Sequence, residues 1–205
     1  MAKSKIKQSP KLPAETRREQ LLEAAGSLFM QKGYRVTTTE EIARKAGLTK
    51  GALYFHFKNK EDILFDLVKH MHGELARVVE EIPAGTATPD QMLDALLKAN
   101  SRILEANFVG YLDFWIQASR IPRIHKYMLD GVEDYTRLFA GRMDSCYGRT
   151  KKQRRDMAIF IMALFDGLTV RYMLGCSRDD LKRQIQLTNT LSRYFTEQSS
   201  KSKTR

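Results

Sequence analysis

Cysteine is scarce in this 205-residue chain, which carries two, Cys146 and Cys176. Two thiols build neither a disulfide framework nor a thiolate metal cluster. Long apolar runs are missing too. Met157 to Phe165 is the longest one worth noting, far short of the roughly 20 residues a membrane-spanning helix needs. The opening stretch MAKSKIKQSPKLP holds Lys and Pro but no apolar segment. It does not read as a secretory signal, so the expected compartment is the cytoplasm, with no membrane partner. Catalytic signatures are absent as well. The chain has no Gly-x-Ser-x-Gly, no phosphate-cradling glycine loop and no Cys-x-x-Cys, and so offers no nucleophile elbow, nucleotide loop or redox pair. Glu-x-x-His pairs of the helical di-iron kind are missing. His70 and His72 stand two apart, which on a helix points them to different faces and away from a shared metal. The expectation is a protein without enzymatic activity, metal or cofactor.

What is present is basic charge on an ordinary globular composition. Thirty-five Lys and Arg face 24 Asp and Glu, net +11, with 42% apolar and 29% charged residues. A positive surplus favours an anionic partner without saying anything about fold. Its distribution is uneven. Residues 1–18 carry six basic and one acidic side chain, Arg149 to Arg155 carry five basic and none acidic, and Lys201 to Arg205 add three more basic ones. Residues 19–75 hold eight of each sign. The charge sits at the ends and in one internal run.

Helical periodicity dominates the rest, and neither strand alternation nor a repeat period is apparent. Residues 1–13 read as a flexible basic arm. Leu21, Leu22, Ala25, Leu28 and Phe29 recur at three- and four-residue spacing, predicting a helix from about 14 to 32 that Gly33 ends. Thr38 followed by Glu41 is a capping box before Ile42, Ala43 and Ala46. Gly47 stops that short helix, and Thr49 caps another reaching about Phe57. Asn59 caps a third, from Lys60 to about Glu81, with Ile63, Leu64, Leu67, Val68 and Met71 at helical spacing. The stretch from Ile82 to Asp90 is the clearest linker signal, and Thr88, Pro89 and Gln91 start a further helix. Helices are then predicted at roughly 89–107, 110–120, 123–146, 151–174 and 178–197, before a basic tail at 199–205. The chain reads as all-α. Its expected domains are 14–75, with a helix-turn-helix at about 38–57, and 76–198.

Two short helices joined by a glycine turn behind a longer helix make a helix-turn-helix pattern. Lys50, Gly51, Ala52, Tyr54, Phe55 and His56 give the second short helix small and hydrogen-bonding side chains at its N-terminal end. Tyr54, His56 and Lys60 have the reach for phosphate oxygens. Phe57 reads as core. Over residues 15–75 the sequence resembles the tetracycline-repressor (TetR) family of bacterial regulators. The match rests on Gly33-Tyr34, Thr38-Thr39, Glu41-Ile42-Ala43, Ala46-Gly47-Leu48-Thr49-Lys50-Gly51, Leu53-Tyr54 and His56-Phe57-Lys58-Asn59-Lys60-Glu61. The resemblance implies an N-terminal three-helix DNA-binding domain with the second short helix in the major groove of operator DNA. Thr49, Lys50, Gly51 and Ala52 would face bases. Thr38, Thr39, Tyr54, His56 and Lys60 would touch the backbone. Glu40 departs from the pattern, since some relatives place a basic residue there.

The same resemblance implies a C-terminal helical domain that dimerises and binds an effector. The 151–174 helix is apolar almost all round, which demands cover on several sides. The expected subunit interface takes in Ile161, Phe165, Leu168, Leu181, Ile185, Thr188 and Leu191, with an intramolecular core as the plain alternative. Phe108, Tyr111, Phe114, Trp115, Met128, Tyr135, Met162 and Phe165 are the candidate pocket residues for a small apolar or aromatic effector. Among Asp113, Arg120 and Asp166 the sequence selects no polar partner for it. The expected function is therefore a ligand-released homodimeric repressor. The alternatives are a helical carrier or enzyme for a lipid-like ligand, with basic tails drawn to membranes, and a DNA-binding protein of the same fold that needs no ligand.

Overall fold

The computed structural model describes residues 13–99, 108–143 and 150–177, with residues 179, 180, 183, 184, 186, 187 and 190 beyond them. Its helices are α1 Ala14–Lys32, α2 Thr39–Lys45, α3 Lys50–His56, α4 Lys60–Glu80, α5 Pro89–Ala99, α6 Phe108–Arg120, α7 Pro122–Arg142 and α8 Lys151–Met173. No strand occurs among the described residues; Ala87 and Met143 form a lone bridge. The fold is all-α. The expected arm, the tail and most of the helix expected at 178–197 lie outside the described residues.

Local chemistry sets the helix starts. Thr38 and Glu41 exchange hydrogen bonds in a capping box at α2, and Thr150 and Gln153 do the same at α8. Thr49 accepts from the Ala52 N–H at α3, and Asn59 accepts from the Asp62 N–H at α4. Each cap satisfies N–H groups the helix leaves orphaned and contributes about 1 kcal/mol. Between α2 and α3, Gly47 sits at φ 69°, a conformation that only glycine adopts without strain. There the Leu48 N–H turns back onto the Ala43 carbonyl at 2.8 Å. Pro122 does not merely break the chain before α7. It is the first helical residue, because its ring presets φ and its missing N–H would be an orphan anyway.

Two apolar cores result. The first gathers Leu21, Ala25 and Phe29 from α1, Ile42 from α2, Leu53 from α3, Ile63, Leu64 and Val68 from α4, and Phe114, Ala118 and Ile124 from α6 and α7. The second gathers Val79 from α4, Met92, Leu93 and Leu96 from α5, Phe139 from α7, and Ala158, Ile161, Phe165 and Leu168 from α8. Helix α4 belongs to both. The Pro- and Gly-marked segment after it joins α4 to α5 inside the second core, where Ala87 is buried and its N–H bonds the Arg142 carbonyl.

The burial of α8 corrects one expectation. Ile161, Phe165 and Leu168 turn inward against α5 and α7 and are closed off within the single chain. The face left open carries Ile159, Phe160, Ala163 and Gly167 instead. A helix apolar all round gives no hint of which stripe its own chain will cover. Leu181, Ile185, Thr188 and Leu191 have side chains outside the described residues.

The first core is also where α6 docks on α1. At Gly110 a Cβ would stand 2.7 Å from the Met30 carbonyl carbon and 3.0 Å from the Phe29 carbonyl oxygen. Three residues on, the Asp113 carboxylate accepts the Arg35 N–H at 3.2 Å. Gly110→Ala must push α6 off the end of α1. The expected loss is about 1–3 kcal/mol, read as a lower urea midpoint of the purified chain. An unchanged midpoint would mean that α6 does not rest on α1 in this way.

Candidate nucleic-acid interface and ligand site

Helix α3 is seven residues long, too short to stand alone. Leu53 and Phe57, one turn apart, are buried in the first core and hold it. Burying such side chains is worth about 2–3 kcal/mol each. With that face anchored, Thr49, Lys50, Gly51, Tyr54 and Phe55 are left exposed, and Ala52 and His56 half-exposed. Phe55 is the extreme case, 80% exposed, with its ring edge-on to His56 at 5.2 Å. Nothing lies within 3.9 Å of a Cβ built at Gly51, so this end of α3 is open to a large approaching surface.

The start of α2 adjoins that surface. Thr38 Oγ1 accepts the Glu41 N–H at 3.2 Å while Glu41 accepts the Thr38 N–H at 2.9 Å. The Thr39 and Tyr54 hydroxyls are 3.2 Å apart, linking the two short helices at their exposed edge. Glu41 also takes a hydrogen bond from Lys32 at 2.6 Å. That bond first, and those from Thr38 second, pull its carboxyl down to about 2. The hydroxyls at this helix start are engaged within the chain, Thr38 with Glu41 and Thr39 with Glu40 and Tyr54.

Glu40 and Lys50 form an ion pair across the two helices. Hydrogen bonding to Lys50 holds the Glu40 carboxyl below its usual range, and the same contact raises Lys50. The lysine also lies 5.8 Å over the Tyr54 ring. Both partners are solvent-exposed, so the pair adds little stability and is readily exchanged for another anion. Sequence reasoning left Glu40 aside; its place beside Lys50 appears only once α2 and α3 are packed.

Lys60 has a different role from the expected one. Its ammonium donates to the Tyr34 carbonyl at 2.9 Å, the Arg35 carbonyl at 3.2 Å and the Thr37 carbonyl at 2.9 Å, with the Tyr34 ring 4.3 Å below. An ammonium has three donors, and all three are taken. Partial burial lowers its pKa. Lys60 ties down the loop between α1 and α2, and so sets the height of α2 rather than facing outward itself.

The candidate pocket residues divide. Phe114 lies wholly in the first core and Phe165 in the second, so both pack within the chain. Met128 packs half-buried on the first core. Tyr111 and Trp115, one turn apart on α6, make an edge-to-face pair at 6.2 Å. Tyr135 belongs to neither core and meets His72 of α4 at 5.0 Å, while His72 stacks on Tyr127 at 5.2 Å. Burial lowers the His72 pKa. Met162 accepts a weak hydrogen bond from Thr136 at 3.9 Å. The Phe108 side chain lies outside the described residues. Of the three polar candidates, Arg120 is exposed, and Asp113 is engaged by Arg35 and by Gln117 at 3.1 Å. Asp166 is the one left unpaired. Among the described residues no group of His, Cys, Asp and Glu is placed to hold a metal, and no helix is long and apolar enough to cross a membrane.

Comparison with known proteins places this arrangement. Residues 21–67 match the family model described as bacterial regulatory proteins, tetR family. The HTH-type transcriptional repressor KstR2 of Mycobacterium tuberculosis is 32% identical over 106 residues, 52% of this chain and 53% of the relative. The chain thus spans about half the length of the curated relatives it matches at that level. Among solved structures, a transcriptional regulator (TerR/AcrR family) from Aquifex aeolicus VF5 superposes with a TM-score of 0.68 at 24% identity, covering 85% of this chain and 98% of that one. The multidrug binding protein EbrR complexed with malachite green gives a TM-score of 0.57 at 21% identity, covering 86% and 97%. The two structural likenesses, which are of fold, extend over both cores.

The anchoring role of Lys60 has a direct check in the free protein. Lys60→Met keeps the apolar stem and strands three carbonyls, with an expected loss of about 1–3 kcal/mol in urea denaturation. A lysine serving only an external anion would leave that stability unchanged.

Proposed function

We propose that the chain, whose residues 21–67 match the model of bacterial regulatory proteins, tetR family, is a sequence-specific DNA-binding transcriptional regulator of that family, a homodimeric repressor released by a small-molecule effector. The observation that carries this reading is the open outer face of α3, held by Leu53 and Phe57 beside the capped N-terminus of α2.

In this reading α3 enters the major groove. Thr49, Lys50, Gly51 and Ala52 present the N-terminal end to base edges, where Gly51 admits close approach and the Lys50 ammonium suits guanine O6 and N7. Phe55 offers an apolar surface to thymine methyl groups. Thr38, Thr39, Tyr54 and His56 lie along the flank and position the helix through phosphate contacts. Lys60 acts from behind, fixing the loop on which α2 stands. Domain limits near 14–75 and 76–198 fit this division of labour, with α4 crossing between them.

A two-fold dimer sets two copies of α3 about one helical turn of DNA apart. The open stripe of α8, with Ile159 and Phe160 exposed and Gly167 allowing close helix approach, supports pairing there. An effector in the second domain would act by favouring the dimer geometry whose spacing misses the operator, which requires different affinities for the two forms. The malachite green complex of EbrR supports a small aromatic compound as the kind of effector to test.

Selection from randomised 30-base-pair duplexes with the full chain is the test. The expected product is a near-palindrome with half-sites about one helical turn apart; no enriched motif would overturn the reading. Once a site is in hand, Lys50→Ala should relax base preference, losing about 1–3 kcal/mol of discrimination. Tyr54→Phe should weaken all duplexes alike. Glu40→Gln should strengthen binding to every duplex, because it removes both a negative charge and the competitor for Lys50. These changes are measured by fluorescence anisotropy over a range of salt concentrations.

A further inference from the structure

We propose that Asp113, on α6 and outside the helix-turn-helix, is a positioning residue for DNA recognition: its carboxylate fixes the loop from which α2 meets the duplex. This rests on the reading of α2 and α3 as the DNA-reading face and names a distant residue on which that face depends.

Residues 33–37 join α1 to α2 and deliver Thr38 and Thr39 to the edge where the two short helices meet. The segment does little to hold its own shape. The Gly33 N–H donates back to the Phe29 carbonyl at 2.9 Å, and the Thr37 hydroxyl donates to the Gly33 carbonyl at 2.8 Å. Among the described residues no other hydrogen bond runs inside the loop. The remaining bonds come from two side chains beyond it, of opposite charge. Lys60 at the start of α4 takes the Tyr34, Arg35 and Thr37 carbonyls. Asp113 takes the Arg35 N–H at 3.2 Å. Arg35 is thus gripped on both sides, through its carbonyl by a cation and through its N–H by an anion. A lysine ammonium is a point charge on a flexible stem and gives little direction. The carboxylate supplies the contact that stops the loop from turning about it.

The surroundings of Asp113 are built for this contact. A Cβ at Gly33 would stand 2.8 Å from Asp113 Oδ2 and 3.4 Å from its Cγ, so only glycine lets the carboxylate close on the loop. Gln117, one turn further along α6, donates to Oδ1 at 3.1 Å and leaves Oδ2 to the Arg35 N–H. Gly110, one turn back, seats α6 against the Phe29 and Met30 carbonyls at the end of α1. The carboxylate is therefore aimed by its own helix before it meets the loop.

A loop freed from Asp113 must be ordered again when α2 docks, and that cost falls on every duplex alike. The sign is distinctive. On charge alone, removing a carboxylate tightens attachment to a polyanion, whereas removing a positioning acceptor weakens it.

The test compares Asp113→Ala and Asp113→Asn in the full chain, by fluorescence anisotropy against the selected duplex and a scrambled one, where circular dichroism shows the variants fully folded. Asp113→Ala should bind both duplexes about tenfold more weakly, the scale of one lost hydrogen bond to a charged group. Base preference and salt slope should stay as they are, because no base or phosphate contact is lost. Asp113→Asn keeps an acceptor for the Arg35 N–H, and Gln117 can turn its amide to match, so it should bind as tightly as wild type. Gln117→Leu is a milder variant that loosens the carboxylate without removing it, and should weaken binding in the same direction. Hydrogen exchange of the free chain is the second measurement. Asp113→Ala should speed exchange at Arg35 and in the first turn of α2 while leaving α5 unchanged. Binding by Asp113→Ala that is unchanged or tighter, equal weakening by Asp113→Ala and Asp113→Asn, or unaltered exchange at Arg35 would overturn the proposal. A wild-type chain that selects no duplex overturns the regulator reading itself, whereas a selected duplex bound equally by Asp113→Ala overturns the role of Asp113 alone.

Discussion

Helix α4 is shared by both apolar cores, and this constraint governs the rest of the molecule. Ile63, Leu64 and Val68 near its start are buried with α1, α2 and α3, and Val79 near its end is buried with α5, α7 and α8. A helix of 21 residues is about 30 Å long, so a small tilt at one end becomes a displacement of ångströms at the other. Neither core can repack around α4 without carrying the other along. The glycine- and proline-marked segment that follows is thus no hinge between the two cores, and the rigid element is what joins them.

A second junction runs through α6 and closes the frame. Gly110 brings α6 against the last carbonyls of α1, and Asp113 accepts the Arg35 N–H from the loop that leads to α2. The same loop is held from the opposite side by the three carbonyl bonds of Lys60, at the very start of α4. The loop that sets the position of α2 is therefore clamped between both connecting helices. On the same helix Tyr111 and Trp115 meet edge-to-face at 6.2 Å, and Trp115 packs against the first core. A ligand bound there would press on a helix whose other face rests on α1. Interfaces of this kind repack between discrete arrangements rather than deform smoothly, which is what a release mechanism needs.

Legibility in the sequence follows the range of the interactions. Everything in 38–57 depends on contacts within a few residues: Thr38 with Glu41, the turn at Gly47, Thr49 as a cap, Leu53 and Phe57 one turn apart. All of it could be read in advance, and the all-α class with it. The second domain depends on which faces meet across long separations. Helix α8 is apolar on nearly every side, so periodicity could not tell Ile161 and Phe165, which its own chain covers, from Ile159 and Phe160, which it does not. Phe114 looked like a pocket wall because its partners lie some 85 residues earlier, in α1. Lys60 belonged to a motif that implied an outward role, and only the folded loop shows three carbonyls waiting for it. Asp113 and Asp166 were indistinguishable as letters; their pairing partners separate them.

The charge distribution bears on selectivity in the proposed function. Net +11 suggests a chain drawn to any polyanion, yet residues 19–75 hold eight charges of each sign. In that neutral body the lysine at the tip of α3 is already paired with Glu40. A phosphate anywhere along a duplex offers Lys50 little that Glu40 does not already provide, so non-specific contacts gain little from this residue. A base edge presenting two acceptors in the groove offers a directional contact that one carboxylate oxygen does not. The pair also holds Lys50 near the Tyr54 ring, reducing the freedom lost on docking. Because a regulator is judged by the ratio of specific to non-specific affinity, an acidic residue beside the reading helix lowers total affinity while raising that ratio. Glu40, which looks like a defect in a DNA-binding motif, is on this argument part of its discrimination.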